Sequence, residues 1–154
     1  MLDALCELSD GRLVDVEVQR ADKGDLQRRA RYYASLVTAD RTRPGTPFGD
    51  VPDVCVVLVC EFDPLRAGRP LYHVDRVVRE TGESADNGLE EVYVNALARD
   101  GSEVSALMRV LTEAEAYDEE RFPETSRVKR RLRETEEGRK DMGSVIEEIR
   151  AECI

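Results

Sequence analysis

Polar and apolar positions alternate on both sides of Ser9-Asp10-Gly11 in the opening stretch, residues 2–19, LDALCELSDGRLVDVEVQ. Leu2, Ala4, Cys6 and Leu8 alternate with Asp3, Leu5 and Glu7. Val14, Val16 and Val18 alternate with Leu13, Asp15, Glu17 and Gln19. Period-two alternation around an Asp-Gly pair predicts a β-hairpin. A three-residue loop, with Gly11 in the left-handed conformation, pairs Leu8 with Arg12. By counting, Cys6 then faces Val14, Ala4 faces Val16 and Leu2 faces Val18 on the apolar side. On the other side Asp3 falls opposite Glu17, with Gln19 two residues further along. A two-residue loop would put the two acids on opposite faces, because a one-residue slip turns every side chain over.

After a polar stretch, Leu26, Arg29, Ala30, Tyr33, Leu36 and Val37 recur at helical spacing to about Thr38, with Asp25 as the expected N-cap. Arg29 and Tyr33 are one turn apart and share a face. Residues 41–52 carry Pro44, Gly45, Pro47, Gly49 and Pro52 and read as a loop. Residues 54–60, VCVVLVC, form an unbroken apolar run, which predicts a strand buried on both faces. Strand, helix and buried strand make a βαβ crossover. A strand or short extended segment is expected at 71–78, which holds His73, and a further strand at 89–95, with a turn-rich break at 81–88. Helices are expected at 102–117 and over 123–153, the latter bent at Gly138. The expected class is α/β, with a mixed central sheet, flanking helices and a C-terminal helical extension. Residues 1–100 form the core, and residues 101–154 pack on it or extend from it.

Two carboxylates directly opposite each other repel, so an Asp3–Glu17 pair is destabilising by itself. A bound cation reverses that sign, and hard divalent ions such as Mg2+ use one or two carboxylates and keep several waters. The plain alternative is a solvated hairpin face carrying two unrelated acids.

Composition narrows the setting. The 154 residues suit one domain, with 41% hydrophobic and 36% charged residues. No run approaches the ~20 apolar residues of a membrane span, and no signal segment opens the chain. Cys6, Cys55, Cys60 and Cys153 form no CxxC and no metal-ligand spacing, which points to a reducing cytoplasm. The net charge of −10 argues against a general nucleic-acid coat. Basic residues are nevertheless concentrated: Arg28, Arg29, Arg31, Arg41 and Arg43 in one stretch, and Arg127, Lys129, Arg130, Arg131 and Arg133 in another. A solvated helix face is the ordinary reading of each run. Tyr32 and Tyr33 read as core aromatics, and His73 as a structural histidine.

Taken together, Asp3 with GRLVDVEVQ, GDLQRRARYYASLV, VPDVCVVLVCEFD, LYHV, VYVNALARDG and EEGRKDMGSVIEEIR resemble the PD-(D/E)XK nuclease family transposases, also described as recombination-promoting nucleases. The resemblance implies a restriction-endonuclease-like core over residues 1–100. It maps an aspartate on one strand to Asp3, and an E-x-Q on the next to Glu17-Val18-Gln19. An R-x-x-Y-Y pattern on the following helix falls on Arg29, Tyr32 and Tyr33. It implies a metal-dependent DNA endonuclease in which Asp3 and Glu17 hold Mg2+ (or Mn2+). Gln19 stands where a lysine is usual and orients water or phosphate by hydrogen bonding. Arg29 is a candidate for stabilising phosphate charge, with Lys129, Arg130 and Arg133 as candidates for holding the DNA backbone and Tyr33 and His73 as accessory candidates. DNA is the expected partner, with a homodimer as a second expectation. The family carries a leading helix before the aspartate strand, whereas Asp3 is the third residue here. A truncated, inactive remnant serving as an interaction module is therefore the competing expectation.

Overall fold

The computed structural model describes residues 3–134. Five strands and three helices are defined in this range: β1 (Ala4–Glu7), β2 (Leu13–Gln19), α1 (Leu26–Arg41), β3 (Val54–Cys60), β4 (Leu71–Val74), β5 (Leu89–Asn95), α2 (Glu103–Thr112) and α3 (Pro123–Glu134). The strand order is β1-β2-β3-β5-β4. The β1–β2 and β5–β4 pairs are antiparallel, whereas β2–β3 and β3–β5 are parallel. The class is thus α/β with a mixed sheet, as the sequence predicts.

The hairpin has the expected register. Ala4 pairs with Val16 and Cys6 with Val14. The Leu8 N–H donates to the Arg12 carbonyl at 2.8 Å across the three-residue loop, and Gly11 has φ +87°. The βαβ crossover follows because β3, VCVVLVC, runs through the middle of the sheet. Its even-numbered residues, Val54, Val56, Leu58 and Cys60, are buried under α1, and its odd-numbered residues are half-buried on the other face. Small residues let α1 approach closely: Ala30 and Ala34 are buried, with Leu26 and Val37 above and below. Burial pushes the Cys60 thiol up to about 12, so it behaves as a packed apolar group.

Which face of the hairpin is covered differs from the sequence reading. The valine side is only half-buried. The acid side, Leu13, Asp15 and Glu17, lies in the layer that α1 covers, in register with Val54, Val56 and Leu58. A solvated hairpin face is therefore excluded. Alternation showed that the two faces differ, but α1 decides which one becomes interior.

Two further boundaries differ from expectation, and the N-cap of α1 is met in an unexpected way. Asp25 occupies the N-cap position of α1 without a capping bond, because its carboxylate takes the Arg29 Nε–H at 2.9 Å instead. The helix expected to reach Tyr117 ends at Thr112, and Leu111 is half exposed. It begins as expected, with the Ser102 hydroxyl accepting from the Ser105 N–H at 3.2 Å. The strand containing His73 stops at Val74. The stretch expected to be helical beyond Gly138 lies outside the described residues.

The turn entering β5 depends on Gly88. It has φ +75°, and a Cβ there would sit 2.3 Å from Asp53 Oδ1. Its carbonyl also takes the first N–H of β3, from Val54, at 2.8 Å. Gly88→Ala should cost about 1–2 kcal/mol, from strain plus displacement of Asp53. A urea titration showing an unchanged midpoint would contradict this.

Candidate active site

The candidate site lies at the end of the β1–β2 hairpin, where β2 passes beneath α1. Asp3 and Glu17 lock together reciprocally. The Asp3 N–H donates to Glu17 Oε1 at 2.9 Å, and the Val18 N–H donates to Asp3 Oδ2 at 3.0 Å. Each carboxylate thus accepts a backbone donor, which offsets part of the repulsion expected for opposed acids. Glu17 is 2% exposed. Its pKa is raised, chiefly by burial, although the Asp3 backbone donor opposes the shift.

Asp15 was not singled out from the sequence as a site residue. It is fully buried, and among the described residues neither carboxylate oxygen has a hydrogen-bond partner. Burial first, then the charges of Glu17 and Asp3, push its pKa up to about 7. One signal was legible: Asp15 precedes Glu17 by two residues and so shares its face.

A polar chain supports Glu17 from α1. The Tyr33 hydroxyl interacts with both the Glu17 carboxylate and the Arg29 guanidinium. Arg29 in turn is anchored by Asp25. Burial and the Glu17 charge hold the Tyr33 phenol above its ordinary range. Arg29 therefore acts one residue removed from the acids. Gln19 stands two residues beyond Glu17 on the same side, half-buried, opposite Cys60.

The other candidates lie elsewhere. His73 is exposed on edge strand β4 and pairs with Val92, on the sheet face opposite Glu17. Lys129, Arg130 and Arg133 belong to α3 and are engaged within the domain. The Lys129 ammonium donates to the carbonyls of Val110, Glu113 and Ala116 at 2.6, 2.5 and 2.6 Å. Arg130 pairs with Glu119 at 2.5 Å and lies 5.0 Å from the Tyr117 ring centre. Arg133 bonds the Ala114 carbonyl and pairs with Glu115 at 3.3 Å.

The donor set at the site fits a hard divalent cation. It offers carboxylate oxygens only, crowds negative charge under α1, and leaves Asp3 Oδ1 outside the reciprocal backbone bonds. Among the described residues no group of three or more His, Cys, Asp or Glu side chains is arranged to hold a metal ion. Two carboxylates with water completing the shell is the arrangement that remains, and it is a common one for Mg2+.

The mixed five-stranded sheet with its flanking helices is consistent with a restriction-endonuclease-like fold. The sequence model for the PD-(D/E)XK nuclease family transposases matches residues 1–137, and the chain belongs to that family. No curated protein and no solved structure matches the chain. Membership supports a nuclease-like or transposase function with DNA as the partner, and the family generally uses divalent metal ions. No helix among the described residues is long and apolar enough to cross a membrane.

Proposed function

We propose that this domain hydrolyses DNA phosphodiester bonds with Mg2+ or Mn2+ held by Asp3 and Glu17. The reciprocal Asp3–Glu17 lock under α1 carries the reading, since it fixes two hard oxygen donors across one hairpin rung. The cation, when bound, activates a water and neutralises charge on the scissile phosphate. Asp3 and Glu17 bind and orient it. Tyr33, with Arg29 beside it, is a polar neighbour of the Glu17 carboxylate on the α1 side. Gln19 orients the water or a phosphate oxygen by hydrogen bonding and supplies no charge. A cytoplasmic location and a homodimer belong to the same proposal.

The near-complete burial of Glu17 and Asp15 favours a second reading, a non-hydrolytic DNA- or protein-interaction module. Glu17→Gln separates the two. It should abolish Mg2+-dependent nicking of supercoiled plasmid, weaken Mn2+ binding measured calorimetrically, and leave the fold intact or slightly more stable. Undiminished nicking by the variant would remove Glu17 from the chemistry. Wild-type protein that binds no Mn2+ would overturn the hydrolytic reading.

A further inference from the structure

We propose that the outward face of α1, formed by Arg28, Arg31 and Tyr32, is the seat for the DNA sugar-phosphate backbone. This rests on the DNA reading above and identifies the surface that takes the partner. Residues 28, 31 and 32 follow the i, i+3, i+4 rule and share one face, with Cβ atoms about 5–6 Å apart. All three side chains are exposed, Tyr32 to 61%. Arg28 and Arg31 form no ion pair or hydrogen bond through their guanidinium groups among the described residues. Most arginines elsewhere do: Arg12, Arg29, Arg66, Arg99, Arg109, Arg121 and Arg130 each hold a carboxylate.

No acid occurs in α1 before Asp40, so the face is a local positive island on a chain of net charge −10. Fields of this kind act locally, because charges beyond a Debye length of about 8 Å are screened at physiological salt. The island also adjoins the acids. Tyr32 packs edge-on against Tyr33, ring centres 5.6 Å apart, and the Tyr33 hydroxyl meets Glu17. The tyrosine pair thus runs from the exposed face toward the acids, and α1 itself lies between the arginines and the candidate metal site. Arg and Tyr side chains donate to phosphate oxygens and fix the register of a nucleic acid without reading its bases. The α3 run offers a poorer seat, because Lys129 and Arg130 already hold the end of α2 and the loop after it.

The test is a salt titration in EDTA, which prevents cleavage, using two fluorescein-labelled duplexes of unrelated sequence. Removing one phosphate-binding cation should flatten the slope of log K against log salt by about 0.9. Arg28→Gln/Arg31→Gln should therefore flatten the wild-type slope by about 1.8 and weaken both duplexes equally, with an unchanged melting temperature. Tyr32→Ala should weaken both duplexes with less effect on the slope. An unchanged slope in the double variant, with wild-type binding intact, would overturn the assignment of this face while leaving the nuclease reading standing. Wild-type protein that binds neither duplex at low salt would overturn both.

Discussion

Asp15→Asn should raise the melting temperature by several degrees at pH 8 and change it little at pH 4. The native carboxylate sits fully buried, in register with Leu5 and Val56, and among the described residues both oxygens lack a partner. Burial and the neighbouring acids move its pKa from 3.8 to about 7. A carboxyl whose folded pKa lies above its unfolded value is protonated preferentially in the folded state. Below the unfolded pKa both states carry the proton, and the site adds no ionisation cost. As pH rises from about 4 to about 7 the unfolded chain ionises first, and stability is lost across that window. A displacement of that size corresponds to about 4 kcal/mol as an upper bound. Asparagine removes the charge but leaves an amide short of partners, so a gain of about 2 kcal/mol is the reasonable expectation. For a chain of this size that is roughly 4–8 °C. Calorimetry at the two pH values decides it, and a loss of stability at pH 8 would show that Asp15 makes a favourable interaction. Mg2+ should shrink the gain at pH 8 if a cation sits beside Asp3 and Glu17, because it would offset the same negative charge.

That buried acid also marks where the sequence stops being informative. The hairpin register was legible because turn chemistry is local: Gly11 fixes the loop, the loop fixes the pairing, and the pairing sets Asp3 opposite Glu17. The β3 strand was legible for a similar reason, as seven apolar residues between breakers have few other fates. The covered face of the hairpin was not legible. One side offered valines and the other offered acids, so transfer energy alone favours burying the valines. Ala30 and Ala34 bring α1 close over the acid side, in a crossover settled by chain connectivity and packing. Polar residues buried against local preference tend to mark functional sites, which is consistent with the acids here. His73, read as structural from the sequence, shows how far connectivity governs placement. Its chemistry suits a site, but the strand order places it on the far edge and the opposite face. Asp25 shows the same limit on a smaller scale, since a good capping residue became the anchor of Arg29.

Lys129→Met should cost about 2–4 kcal/mol of stability, far more than either arginine substitution on α1. Periodicity carried α2 past Thr112, yet the helix ends there, and a side chain far along the chain holds one carbonyl of its last turn, the carbonyl of its C-cap and one beyond it. The Lys129 ammonium donates to Val110, Glu113 and Ala116 and lies 4.8 Å from the centre of the Tyr117 ring. Hydrogen bonds to a charged donor contribute about 1.5–3 kcal/mol each, and a cation at a helix C-terminus adds about 0.3–1 kcal/mol. These terms are not additive, and partial burial of the ammonium opposes them. Burial, followed by the nearby Arg133 charge, lowers the Lys129 pKa. Methionine keeps the length and the apolar stem but leaves three carbonyls without their donor. Arginine would not repair the loss, because a planar fork cannot direct its donors at three carbonyls around one point. Urea unfolding with an unchanged m-value should report the deficit, and DNA affinity measured well below the transition should stay at the wild-type value. A stability change under about 0.5 kcal/mol, together with a flattened salt dependence of DNA binding, would return Lys129 to the DNA interface and leave the end of α2 to be explained by other contacts.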